Sequence, residues 1–203
     1  MELAIFLVAV PLLVLGQQNY MFRRALLLLG GIYALLRLSN KVCWRRLFAK
    51  PLPGWWQGPC LRASLALVLI GSYILLFEPQ NLFNLPKQHF LLWLLFISLY
   101  PIFSVLPQEL VYRVYIFEVH KNLLNTPLAA ILLSSLLFAW VHIVFAGWLG
   151  VAACMLAGLA LGYNYATNRS KKGAIWPLIL EHSLYGEMIF TLGLWQYFYY
   201  PRI

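Results

Sequence analysis

Three short stretches hold side chains capable of chemistry in an otherwise apolar sequence. PQELVYR (107–113) carries Glu109 and Arg113 four residues apart. FAWVH (138–142) carries Phe138 and His142 at the same spacing, and HSLYG (182–186) carries His182 and Gly186, with Glu181 just before. Residues four apart on a helix project from one face. Three helices therefore each present a polar group toward a common interior. A charge at the bilayer centre costs roughly 2.5–3.5 kcal/mol on insertion scales, so such groups are retained for pairing or for function. An ion pair between Glu109 and Arg113, with two core histidines bonded to backbone carbonyls, is the structural alternative. A carboxylate and two imidazoles suit water activation: Glu109 takes a proton, one histidine shares it, and the other donates to the oxyanion formed when water attacks a carbonyl. Arg113 stays protonated, so its expected role is support for Glu109. Zinc is the rival use of two histidines and a glutamate. H-E-x-x-H is absent, as is any cysteine–histidine cluster, so the expectation is a site without metal or cofactor, with a three-ligand zinc site drawn from separate helices as the open alternative.

In order and approximate spacing, the three stretches resemble the CAAX-protease and bacteriocin-processing family of intramembrane endopeptidases, relatives of the type II CAAX prenyl proteases. Its signature runs E-E-x-x-x-R, F-x-x-x-H, then H-x-x-x-N or a similar small polar residue. Here the first motif reads Gln108-Glu109-Leu-Val-Tyr-Arg113, and the third ends at Gly186. The resemblance covers about 90–190. It implies catalysis by Glu109, His142 and His182, with Gln108, Arg113, Phe138 and Glu181 supporting the site or the substrate. In the family the first glutamate of the pair is held to activate water. Gln108 in that place leaves Glu109 as the carboxylate of the motif, with Gln108 orienting water or the substrate carbonyl. Gly186 removes one oxyanion donor, which Ser183 or Tyr185 would have to replace. The implied substrate is a membrane-associated or lipidated peptide or protein. The competing readings are a catalytically weak relative serving as an immunity or scaffold protein, and a proton-coupled transporter.

The elements that position these groups follow from composition. The chain has 203 residues, 63% hydrophobic and 10% charged, with a mean hydropathy of +0.77. Apolar blocks fall at 3–16, 61–77, 90–106, 128–141, 148–165 and 174–180. A 17-residue helix is about 25 Å long, close to the thickness of the hydrocarbon layer. These features predict a single all-α integral membrane domain over 1–203, a transmembrane bundle of about 6–8 helices. The opening lacks a basic n-region and a small-x-small cleavage site, so 3–16 is expected to be a retained helix.

The net charge is +9. Eight of the fifteen basic residues lie between Arg23 and Arg62, with no acid among them. Dispersed through loops, without a binding module, they indicate a cytoplasmic face of the bilayer rather than nucleic-acid binding. A bacterial plasma membrane is the expected location. The basic loops 39–60 and 168–172 should share one side, which requires an even number of crossings between them. Four result if 90–122 is one crossing kinked at Pro101, with Pro107 in the first turn of its second part. Gly158-x-x-x-Gly162 predicts a close helix contact. The last helix is expected over 174–200, with Trp195, Tyr197, Tyr199 and Tyr200 at the interface. Cys43, Cys60 and Cys154 are expected to be free thiols.

Overall fold

In the computed structural model, the described residues are 12, 29, 31–122, 124–143 and 146–198. The expected first helix, 3–16, lies outside them apart from Leu12, as do Tyr199 and Tyr200. The described residues form an all-α bundle without strands. After a helical stretch at 31–38 and the short helix Trp44–Leu47, five helices make the body: α1 (Gln57–Phe77), α2 (Phe90–Val119), α3 (Pro127–His142), α4 (Trp148–Asn168) and α5 (Ile175–Leu192).

Helices α1, α2 and α4 are long and apolar enough to cross a membrane, and α3 is a shorter apolar helix. Much of the apolar surface of α1 and α2 is bare: Leu69, Leu76, Leu91 and Phe103 are all exposed. Apolar patches of that extent are a liability in water and the expected surface in lipid. The protein is an integral membrane helical bundle.

Helix α2 is one continuous element, as the even-crossing argument required, but it does not simply kink. Residues Pro101–Val105 and Leu110–Tyr115 are π-helical, separated by the α-helical turn Leu106–Glu109. Proline has no N–H, and its ring crowds the carbonyl four residues back. Widening the turn relieves that crowding and keeps the helix running. Pro107 therefore sits inside a helix rather than in a first turn.

Four traverses, α1 to α4, lead from one basic loop to the other. The two loops meet at one end of the bundle: Arg46 donates to the Ser170 carbonyl, the Gly173 N–H bonds the Arg46 carbonyl, and the Trp176 indole bonds that of Ala49. At the opposite end the Gly147 N–H bonds the Tyr197 carbonyl, and the Trp195 indole donates to Asn84.

Helices α3 and α4 pack most closely. A Cβ on Gly158 would lie 2.9 Å from the Ser135 Cα, and one on Gly162 would lie 3.2 Å from the Ile131 Cγ2, so both glycines serve close approach. Thr126 caps α3, accepting from the Ala129 N–H at 3.1 Å, with Pro127 in the first turn. Helix α3 stops at His142, and Trp148 opens α4. Helix α5 ends earlier than expected: Gly193 adopts φ +102° after Leu192, and a short 3₁₀ turn, Trp195–Tyr197, follows.

Candidate active site

Glu109 lies on the α-helical turn between the two π-helical segments of α2 and is fully buried. Its Oε1 takes two donors: Arg113 Nη1 at 3.2 Å and His182 Nδ1 at 2.6 Å. The first and third motifs thus meet through one oxygen. The other, Oε2, is buried without a hydrogen-bond partner.

The second motif closes the site from α3. The Phe138 ring lies beneath the Arg113 guanidinium, 4.3 Å from Cζ to the centroid, a favourable cation–π distance. The same ring meets His142 at 4.6 Å and His182 at 5.4 Å between centroids. Phe138 therefore packs against both imidazoles. His142 reaches the site across this ring, without a direct bond to Glu109 or His182.

His142 Nδ1 lies 2.6 Å from the Phe138 carbonyl oxygen. A carbonyl only accepts, so Nδ1 carries the proton, and in the neutral ring Nε2 offers a lone pair. The same assignment follows for His182, whose Nδ1–H donates to the Glu109 carboxylate. Neither Nε2 has a hydrogen bond within the described protein. In the neutral His142 ring, Nε2 is therefore an acceptor.

Gln108 turns its amide to Ser104, Nε2 to Oγ 2.8 Å, and leaves Oε1 buried without a partner. Arg113 Nε and Nη2 and Ser183 Oγ are also buried and unpartnered. A buried polar group left without a partner costs about 1–3 kcal/mol. Glu109 Oε2 and the two Arg113 nitrogens belong to one ion pair, which is left with unmet hydrogen-bonding capacity.

Glu181 belongs elsewhere. It is fully buried and saturated: Arg62 donates Nε to Oε1 at 2.6 Å and Nη2 to Oε2 at 2.7 Å, Asn164 Nδ2 lies 2.5 Å from Oε2, and the Tyr185 hydroxyl lies 2.8 Å from Oε1. One residue along a helix is about 100° around it, and that rotation turns Glu181 toward α1 and α4 while His182 faces α2. Tyr185 is occupied with Glu181, so it is no substitute oxyanion donor.

Two cavities lie apart from Glu109, His142 and His182. The larger, about 340 Å³, is lined by the basic loops with Arg62, Lys171 and Lys172; the smaller, about 220 Å³, lies by Lys121 and Arg169. Tyr100 and Phe138 both pack against His182. The Tyr100 ring packs edge-on to His182 at 6.1 Å, and a Cβ on Gly186 would collide with that ring and its hydroxyl. His142 and Tyr100 are only half-buried, so they form the outer edge of the site. Tyr100 escaped the sequence reading. Its only signal was a phenol just before Pro101, among 12 tyrosines.

Among the described residues no three His, Cys, Asp or Glu side chains are grouped to hold a metal ion.

The site thus defines a membrane helical bundle with a buried glutamate–histidine pair. Residues 88–186, just short of half the chain, match the family described as Type II CAAX prenyl endopeptidase Rce1-like. The match contains all three motifs and agrees with the resemblance drawn from them. No curated protein and no solved structure matches the chain.

Proposed function

We propose that this protein is an intramembrane endopeptidase in which Glu109 and His182 activate water. It hydrolyses a peptide bond of a membrane-associated or lipidated substrate. The observation that carries this reading is the 2.6 Å contact between Glu109 and His182, made by the first and third motifs on a carboxylate whose other oxygen is buried without a partner.

The chemistry follows from the tautomers. Water gives a proton to the Glu109–His182 pair as its oxygen attacks the carbonyl carbon. The His142 Nε2 lone pair accepts water's second hydrogen and orients it. When the C–N bond breaks, the pair returns the proton to the leaving amine. Arg113 holds the Glu109 carboxylate in place and, always protonated, takes no proton itself. Gln108 Oε1 is available to a substrate N–H.

The polar groups of the site are gathered round Phe138 rather than strung from one end of the bundle to the other, which supports hydrolysis over proton-coupled transport. The joined basic loops support a cytoplasmic placement of that end in a plasma membrane. The test is direct: purified protein in lipid nanodiscs is incubated with a farnesylated peptide ending in a CAAX sequence, and fragments are read by mass spectrometry. Cleavage at one internal bond is expected. An intact peptide, with its unprenylated counterpart and membrane-anchored reporters also intact, leaves the scaffold reading in its place.

A further inference from the structure

We infer that the Tyr100 hydroxyl is the oxyanion donor of this site, in the space that Gly186 leaves open. The inference rests on the peptidase reading and adds a residue to it. Hydrolysis through an oxyanion needs a hydrogen-bond donor aimed at the developing charge. The groups first expected to supply it do not. The neutral His142 and His182 rings spend their N–H on Phe138 and Glu109. The Tyr185 hydroxyl is bound to Glu181, Ser183 sits about 100° round α5 from His182, and Gly186 has no side chain.

Tyr100 meets each requirement. Its ring stands edge-on to His182 and fills the volume that a side chain at position 186 would occupy. The contact is close enough that any Cβ there would meet the phenol oxygen itself. The hydroxyl has no hydrogen bond to the described protein, and the residue is half-buried, so the O–H is free and reachable. The ring also packs edge-on against Phe190, at 5.6 Å between centroids. Tyr100 immediately precedes Pro101 and the π-helical turn it induces, so it is held by the backbone feature that also leads to Glu109. In the reaction its O–H donates to the carbonyl oxygen as that oxygen becomes negative, and the proton stays on tyrosine.

The test compares wild type, Tyr100→Phe, Tyr100→Ala, Gly186→Asn and Tyr100→Ala/Gly186→Asn, using the farnesylated peptide in nanodiscs. Tyr100→Phe keeps the ring packing, so folding at the wild-type melting temperature is expected. Loss of one oxyanion donor lowers kcat by ~10²–10³-fold, with KM nearly unchanged. Gly186→Asn alone is expected to misfold or lose activity through its collision with Tyr100. Combined with Tyr100→Ala it is expected to regain activity over Tyr100→Ala alone, because the asparagine amide enters the vacated space as a donor. Wild-type kcat in Tyr100→Phe would overturn the inference and leave the peptidase reading standing. Absence of cleavage by the wild-type protein would defeat that reading and this role together.

Discussion

Glu109 and Glu181 are both fully buried carboxylates on helices of one bundle, and each faces an arginine. Around Glu181 every oxygen is used. Arg62 meets it with two parallel bonds, and Asn164 and Tyr185 complete the shell. Around Glu109 one oxygen takes both donors while the other takes none, and Arg113 binds through a single nitrogen. A saturated buried pair ties helices together, here α1, α4 and α5. An incompletely satisfied one is costly as a strut and suited to receiving a water or a substrate. Burial and charge alone do not separate the two; the count of satisfied atoms does.

The comparison breaks most easily at Glu181. Glu181→Ala leaves Arg62 facing a buried void and frees Asn164 and Tyr185. Removing one partner of such a pair costs about 3–5 kcal/mol. Thermal unfolding in detergent should show a large drop in midpoint and poor yield; a midpoint equal to wild type would remove the structural role.

Arg113→Lys tests the other pair with a smaller change. The charge stays, but the planar fork over Phe138 is lost, and about 1–2 kcal/mol of stability is expected to go with it. Activity should fall because Glu109 is less well held. A lysine variant with unaltered midpoint and turnover would show that Arg113 positions nothing.

The smallest effect concerns a third carboxylate, Glu78, in the turn after α1. Partial burial raises its pKa, but hydrogen bonds from Tyr197, Asn81, Tyr73 and Gln196 more than offset this, so the net direction is below the ordinary 4.5. A carboxylate depressed on folding contributes stability above its unfolded pKa and loses it as pH falls through the folded value. Unfolding midpoints should therefore decline below about pH 4.5, and Glu78→Gln should flatten that part of the profile. An unchanged profile would show that the turn does not depend on the charge.

Much of this architecture is legible in the chain because the membrane imposes simple rules. Hydropathy blocks located α1, α2 and α4, and the basic loops required the even number of traverses that the bundle has. Four-residue spacing placed Glu109 and His182 on facing sides of their helices. What was not legible depends on packing between distant segments. Whether Glu181 points with His182 or away from it is decided by Arg62, 119 positions earlier. Tyr100 is one aromatic among many until the glycine at 186 is seen to make room for it. Proline signalled a disturbance in α2, but whether that is a kink or a wider turn is settled by the helices packed against it. The tautomer of His142, and so its role, depends on a carbonyl of its own helix.

The central claim is that Glu109 does chemistry and Glu181 does not. It is tested by measuring single-turnover cleavage of the farnesylated peptide by Glu109→Gln and Glu181→Gln side by side, with melting temperatures for both. Each change is nearly isosteric and removes only the ionisable group. Glu109→Gln should keep the wild-type midpoint and lose ~10²–10⁴-fold in rate, the usual magnitude for a general base. Glu181→Gln should lose stability and, where folded, cleave at close to the wild-type rate. A Glu109→Gln protein that cleaves as fast as wild type would contradict the account.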